Sequence, residues 1–312
     1  MPQKKDQLIR QSNALTSSAY DLGRNAKRVL YLSLIQLHKK TELDRTEVGY
    51  KVTIKHDDYK DISDEVTDIN RAVRKAVKEL NEKSVTMFMS EWDSGDNKGV
   101  KVRSWINGYD YNPKAKKTLL YFNSDVVEMI PYKKGLPFTQ YLLISASNLK
   151  NQHVMRLYEL ICQWRNTRTS LKIEINWLID RFNLPKSYSV MADFRTKFLN
   201  VAKEEITEKT DINFLKWDEY CEGERKNTVT HIIIFWSEKK SNLIDFEAQE
   251  RKKLEIQSDA MIADLVAMEE AILSIEDITP NDKIFIYGYQ GGAKECGYKI
   301  PQNVTDKIKS LL

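Results

Sequence analysis

One order of segments occurs twice in this chain: a helix-rich block, a charged amphipathic helix, then a hairpin of β-branched and aromatic residues. In the first copy, residues 26–37 carry Val29, Leu30, Leu32, Leu34, Ile35 and Leu37, a density that predicts a largely buried helix. After a polar stretch, residues 64–81 read as a second long helix. Strands follow at 85–92, 100–109 and 118–122, around a turn at Asp93-Ser-Gly-Asp-Asn-Lys-Gly99. Lys133-Lys-Gly-Leu-Pro137 then combines a Gly and a Pro and marks the expected boundary.

The second copy begins with helices expected at 140–149 and 152–165. A short strand leads into a helix over 173–182, closed before Pro185. Residues 189–210 read as one long helix, and 212–220 and 229–236 as a hairpin across 221–228. Helix–helix–helix–hairpin, twice, is the pattern of two winged-helix domains, in which one helix enters the major groove and the hairpin lies along the backbone. The expected fold class is α+β: two tandem winged-helix domains at 1–136 and 137–240, and an acidic, partly helical C-terminal extension at 241–312.

Charge follows the same division. Residues 241–312 hold 8 lysines and arginines against 13 aspartates and glutamates, whereas residues 1–240 hold 41 against 32. A basic body with an acidic tail fits a polyanionic partner, and it equally fits lysine-rich helices with solvated faces. Within the tail, Met261, Leu265, Met268 and Ile272 form an apolar stripe. It reads either as a docking surface or as a helix packed on the second domain. A further segment at 284–288 looks strand-like.

The arrangement of cations favours the first reading of the body, with an ordinary solvated helix face as the alternative at each helix. On a helical wheel, Val66, Ile69, Ala72, Val73, Ala76, Val77 and Leu80 share one face, while Arg71, Arg74, Lys75 and Lys78 fall within about 100° on the other. Such a stripe suits phosphate contact with counterion release. The helix at 189–210 has a core face of Val190, Met191, Phe194, Phe198, Val201 and Ala202. Its opposite face presents Ser189, Ala192, Asp193, Thr196, Lys197, Asn200 and Lys203. A mixture of donors, acceptors and small side chains is what base-edge reading requires: Lys to guanine, Asn to adenine, Asp from cytosine, Ala or Thr against a thymine methyl. Ser189, Asp193, Thr196, Lys197, Asn200 and Lys203 are therefore the candidate base readers. Arg195, at the border of the two faces, and Arg225 and Lys226, at the hairpin tip, are candidate phosphate contacts.

Three further motifs carry a family resemblance. They are Arg156-Leu-Tyr-Glu-Leu160 within residues 149–166, the Asp193-Phe194…Phe198 frame, and the Thr230-His-Ile232 strand. With Ala26-Lys-Arg-Val-Leu-Tyr31 as an opening helix, they resemble the iteron-binding plasmid replication initiators over roughly residues 10–240. The resemblance implies a protein that binds direct repeats of double-stranded DNA at a plasmid origin as a monomer. There it promotes opening of the neighbouring DNA and recruits the host initiator and replicative helicase. A homodimer, joined mainly through the first domain, binds an operator inverted repeat and represses its own gene. It also implies base reading by the second domain around Asp193–Lys197 and phosphate holding by the first. The family often has a basic run after the Asp-Phe pair; here Arg195-Thr196-Lys197 departs from it at Thr196, which predicts a different repeat sequence.

Other classes fit less well. Nicking through a tyrosine needs a metal held by clustered histidines, and His38, His56, His153 and His231 are dispersed. Gly288-Tyr-Gln-Gly-Gly-Ala-Lys294 lacks the Gly-Lys-Ser/Thr ending of a phosphate-binding loop. No catalytic residue, metal or cofactor is expected. A winged-helix transcriptional regulator without an initiation role remains the alternative. Cys162, Cys221 and Cys296 are scattered and odd in number, the first residues lack an apolar signal core, and no run of about 18 apolar residues occurs. A cytoplasmic protein without membrane contact is expected.

Overall fold

The computed structural model describes residues 7–39, 44–63, 65–94, 97–128, 130, 138–222, 228–239 and, in part, 265–312. The chain divides into two compact units, Met1–Lys240 and Ser241–Leu312.

The first unit opens with strand β1 (Leu8–Ser12), a one-turn helix α1 (Asn13–Ser17) and helix α2 (Arg24–Lys39). Along α2 the apolar residues read from the sequence are buried. Strand β2 (Tyr50–Lys55) and the short helix α3 (His56–Lys60) lie in the stretch that the sequence presents as polar. Only Val52 and Ile54 of β2 point inward, too short an alternation to stand out from its lysines. Gly49 enters β2 at φ +154°, and a Cβ there would come 2.4 Å from the carbonyl oxygen of Phe122.

Helix α4 (Ile69–Glu82) is shorter than the expected 64–81. It starts where the Asp68 side chain accepts from the backbone N–H of Arg71, and it buries Ala72, Val73, Ala76, Val77 and Leu80. Strands β3 (Ser84–Ser94), β4 (Asn97–Ser104), β5 (Ile106–Asn112) and β6 (Lys117–Phe122) follow, with helix α5 (Ser124–Glu128) after them. The expected strand at 100–109 is thus two strands of different sheets: β4 pairs with β3, whereas β5 joins the sheet β2-β6-β5. Trp105 is the break. Its indole is fully buried and meets the Tyr20 ring edge-on at 4.9 Å, so the chain turns there to place it.

Strand β7 (Phe138–Leu142) occupies residues expected to be helical, and helix α6 (Leu143–Asn148) takes only the remainder. β7 pairs antiparallel with β1, Leu8 opposite Leu142 and Ser12 opposite Phe138. The pair joins residues from either side of the stretch expected to separate the domains. Helix α7 (Gln152–Trp164) is capped by the Asn151 side chain, which accepts from the backbone N–H groups of His153 and Val154. Strand β8 (Ser170–Glu174) and helix α8 (Ile175–Phe182) follow as read, α8 ending at Asn183 in the left-handed conformation (φ 49°) before Pro185. After a 3-10 turn at Lys186–Ser189, helix α9 runs from Met191–Asp193 through a π turn at Phe194–Leu199 and on through Asn200–Lys209. Strands β9 (Ile212–Tyr220) and β10 (His231–Glu238) complete the antiparallel sheet β8-β10-β9.

A buried ionic cluster ties these elements together. Glu159 of α7 has no solvent exposure and accepts from Lys27 Nζ (2.7 Å), Tyr31 OH (2.6 Å) and Tyr20 OH (3.3 Å). Burial opposes its charge, but Lys27 and Arg156 outweigh burial and hold the carboxyl below the usual range. Burial also pushes the Lys27 ammonium down to about 8, so both partners are charged at neutral pH. Arg156 lies 3.7 Å over the Tyr20 ring and donates to the carbonyls of Thr16 (3.0 Å) and Ser18 (2.7 Å), while Arg181 of α8 donates to that of Ser17 (3.3 Å). The carbonyls that α1 leaves unpaired at its end are thus satisfied by arginines of α7 and α8.

In the second unit, Leu265, Ile272, Ile286, Tyr289, Ala293, Val304 and Ile308 form a separate core, the last two from helix α10 (Gln302–Leu311). The Tyr289 and Tyr298 hydroxyls both donate to Glu269 Oε1 at 2.8 Å. The tail stripe is absorbed here: Leu265 and Ile272 are buried in this core and Met268 packs on it, while Met261 lies outside the described residues. Residues 285–287, expected to be strand-like, are helical, as are 289, 290 and 293 of the glycine-rich segment after them.

Removing one member of a buried pair leaves an uncompensated charge. Glu159→Ala is expected to lower unfolding stability by about 3–5 kcal/mol in a urea titration. The double change Lys27→Met with Glu159→Gln is expected to recover more than half of that loss.

Candidate nucleic-acid interface

The second-domain surface is built on α9. Phe194, Phe198, Leu199, Ala202 and Ile206 are buried, and the rings of Phe194 and Phe198 lie 5.2 Å apart. The π turn explains why a regular wheel describes this helix imperfectly. Starting from Val190, an ideal helix puts Leu199 at about 180° and Ile206 at about 160°, on the polar side. The extra residue of the π turn rotates the later part of the helix, and both side chains reach the core with no exposure. Val190 moves the other way. It is extended (φ −85°, ψ 115°), precedes the helix and is 57% exposed, so it does not belong to the core face. Met191 and Val201 are half-buried.

Of the candidate base readers, Thr196, Lys197, Asn200 and Lys203 are exposed on α9 and Asp193 is half-exposed. Lys197 Nζ lies 2.9 Å from Asp193 Oδ2, one turn away, and the Thr196 hydroxyl donates to the Ala192 carbonyl at 2.8 Å. Ser189 is set apart from them: it closes the 3-10 turn before the helix, and its hydroxyl donates to the Lys186 carbonyl at 2.8 Å. Arg195 does not swing free. Its Nε and Nη2 donate to the two oxygens of Glu219 on β9, at 2.5 and 2.9 Å. Arg225 and Lys226 lie outside the described residues.

In the first domain, Arg71, Arg74, Lys75 and Lys78 are all exposed on α4, opposite its buried face. The stripe is less purely cationic than the wheel over 64–81 suggested, because the helix runs on to Glu82, which stands 3.6 Å from Lys78. Arg74 lies over the Tyr111 ring at 6.0 Å.

That contact leads to residues which sequence reasoning missed. Tyr111 of β5 donates through its hydroxyl to the Asn70 carbonyl at the start of α4 (3.0 Å). The β5–β6 turn therefore stands beside the amino-terminal half of α4. Its tip is tight: Asn112 Oδ1 accepts from the Ala115 N–H (2.9 Å), and Lys116 is left-handed (φ 47°). Lys114, Lys116 and Lys117 are all exposed on it. From the sequence, the hairpin tip of the first domain is expected at the glycine-marked 93–99 turn, although Asn112-Pro-Lys-Ala-Lys-Lys117 carries both a turn signal and three cations. Among the described residues, no group of three or more His, Cys, Asp or Glu side chains is placed to hold a metal ion.

If these positions contact DNA, two kinds of effect should separate. Lys197→Ala or Asn200→Ala is expected to relax base preference by about 1–3 kcal/mol at one position of the site, read by competition between single-base variants. Changing Lys114, Lys116 and Lys117 together to Ala is expected to weaken binding to every duplex alike and flatten the salt slope by about two to three phosphate contacts.

Two family models match the chain in tandem: the initiator replication protein WH1 domain over residues 8–162 and the initiator Rep protein WH2 domain over residues 174–236. Together they span more than two thirds of it. An "uncharacterized 27.6 kDa protein" of Escherichia coli is 30% identical over 214 residues, covering 65% of this chain and 86% of that protein. The crystal structure of the Pi initiator protein in complex with iteron DNA matches with a TM-score of 0.59 at 20% identity, covering 76% of this chain and 99% of that one. No helix among the described residues is long and apolar enough to cross a membrane. With both winged-helix domains present in order, the chain belongs to the initiator replication protein family.

Proposed function

We propose that this protein is a plasmid replication initiator that binds direct repeats at an origin, one chain to each repeat. The observation that carries the reading is α9, whose exposed face offers Thr196, Lys197, Asn200 and Lys203 while aromatic side chains anchor its back in the core. The fold likeness to an initiator solved with iteron DNA supports it. In this reading α9 lies in a major groove and reads base edges. The α4 cations and the Lys114–Lys117 tip hold phosphates about one helical turn away, so one chain covers about 20 bp.

The protein acts by binding, not by catalysis. Monomers on the repeats favour opening of adjacent DNA and gather the host initiator and replicative helicase. A homodimer, joined mainly through the first domain, occupies an operator inverted repeat and represses the gene. The family resemblance supports these finer steps.

Footprinting the purified protein over the DNA flanking its own gene, across a salt series, tests the reading. Protection of a tandem array of direct repeats of about 20 bp is the expected result. Protection of a single inverted repeat alone would identify a transcriptional regulator instead, and protection of no discrete site would overturn sequence-specific binding.

A further inference from the structure

We infer that Glu219 is a specificity-determining residue: by holding Arg195 against β9, it keeps that cation off the phosphates of non-cognate DNA. The inference rests on the reading of α9 as the base-reading helix. Arg195 is placed for backbone contact by its position, at the border between the core face and the reading face. Its guanidinium is engaged through Nε and Nη2 with both Glu219 oxygens. That side-on fork occupies two of its five donors and fixes the plane of the group. Arg195 retains 40% of its side-chain exposure and Glu219 27%, so the pair is open to solvent and to an approaching duplex.

Such a pair is stable enough to be the resting arrangement and weak enough to be broken by a better partner. A phosphate alone is a poor exchange. Turning Arg195 towards it abandons a bidentate partner and leaves the Glu219 carboxylate unpaired against a polyanion. Non-specific affinity comes almost wholly from phosphate neutralisation, so a cation withheld from phosphates lowers it directly. Affinity for the cognate repeat depends on base contacts by Lys197, Asn200 and their neighbours, which the fork leaves in place. Base contacts fix α9 at one depth and register in the groove, whereas a non-specific complex is free to shift until a released Arg195 meets a phosphate. Withholding the cation therefore costs non-cognate binding more than cognate binding and widens their ratio. The other cation next to a carboxylate on this face, Lys197 with Asp193, is a single contact between two residues of the same helix. Among the described residues of this face, only the Arg195 fork bridges helix and strand with both oxygens.

The test is Glu219→Gln in the full chain, which keeps shape and removes charge. Binding is measured to a random-sequence duplex and to the protected repeat across a salt series, with the thermal midpoint recorded for each variant. Affinity for the random duplex at low salt is expected to rise about three- to tenfold, and its salt slope to steepen by about one phosphate contact. Cognate affinity is expected to rise less, so the ratio falls. In an Arg195→Ala background the same change is expected to shift random-duplex affinity by less than about twofold. An unchanged slope in Glu219→Gln, or an equal rise in both backgrounds, would overturn the proposal. If the wild-type protein shows no preference for any repeat, the initiator reading fails. The role of Glu219 is still decided by the slope on the random duplex.

Discussion

Glu159 is the interaction on which the first unit most depends. A carboxylate with no exposure is tolerable only if every oxygen is satisfied and its charge is matched. Here Lys27 and Tyr31 of α2, Tyr20 of the preceding loop and Arg156 of its own helix meet that demand together. The requirement fixes how α7 lies against α2. Arg156 and Arg181 then bind the last carbonyls of α1, which begins where β1 ends and β1 pairs with β7. A second set, buried except at Glu238, extends the chain of contacts, with Arg165 donating to Asp211 (2.6 Å) and to the exposed Glu238 (2.8 Å), and Tyr158 to Asp211 (2.6 Å). Through α7, the sheet beneath α9 and the helices beside α4 share one polar framework.

Arg156-Leu-Tyr-Glu-Leu160, the motif that most suggests the family, belongs to this framework and not to the nucleic-acid surface. Its arginine, tyrosine and glutamate are buried and hydrogen-bonded inside the unit. The residues that would choose a DNA sequence lie elsewhere, at Lys197, Asn200 and Lys203. The family is thus recognised here by how its domains are joined, and in the proposed reading its repeat would be set by exposed side chains that leave the joint untouched.

Long elements with a strong period were legible in the sequence. α2, α4 and α7 were found because a buried face repeats over three or more turns, and the hairpin β9–β10 because β10 alternates over six residues. β1, β2 and β7 were not, since each has five or six residues and owes its conformation to a partner distant in sequence. The break at Trp105 was hidden for the same reason: alternation continues across it, and only the buried ring of Tyr20 makes the turn necessary. At the candidate site, exposure of the cations on α4 was readable from the wheel. The place of Leu199 and Ile206 was not, because one added residue in a π turn shifts the phase that a regular helix assumes. Arg195 was placed at the correct border, but its partner Glu219 is 24 positions away on another element.

In the proposed reading one chain carries α4 and α9 to DNA at a fixed separation, set by the polar framework between them. Affinity for a single repeat whose halves are moved apart tests this most directly. With one repeat per duplex, inserting about 5 bp between the two halves rotates one half-site by half a helical turn, and about 10 bp restores the face but not the distance. A loss of at least about a hundredfold is expected at 5 bp, with little recovery at 10 bp. Affinity that is indifferent to the insertion would show that the two domains engage DNA independently and would contradict this reading.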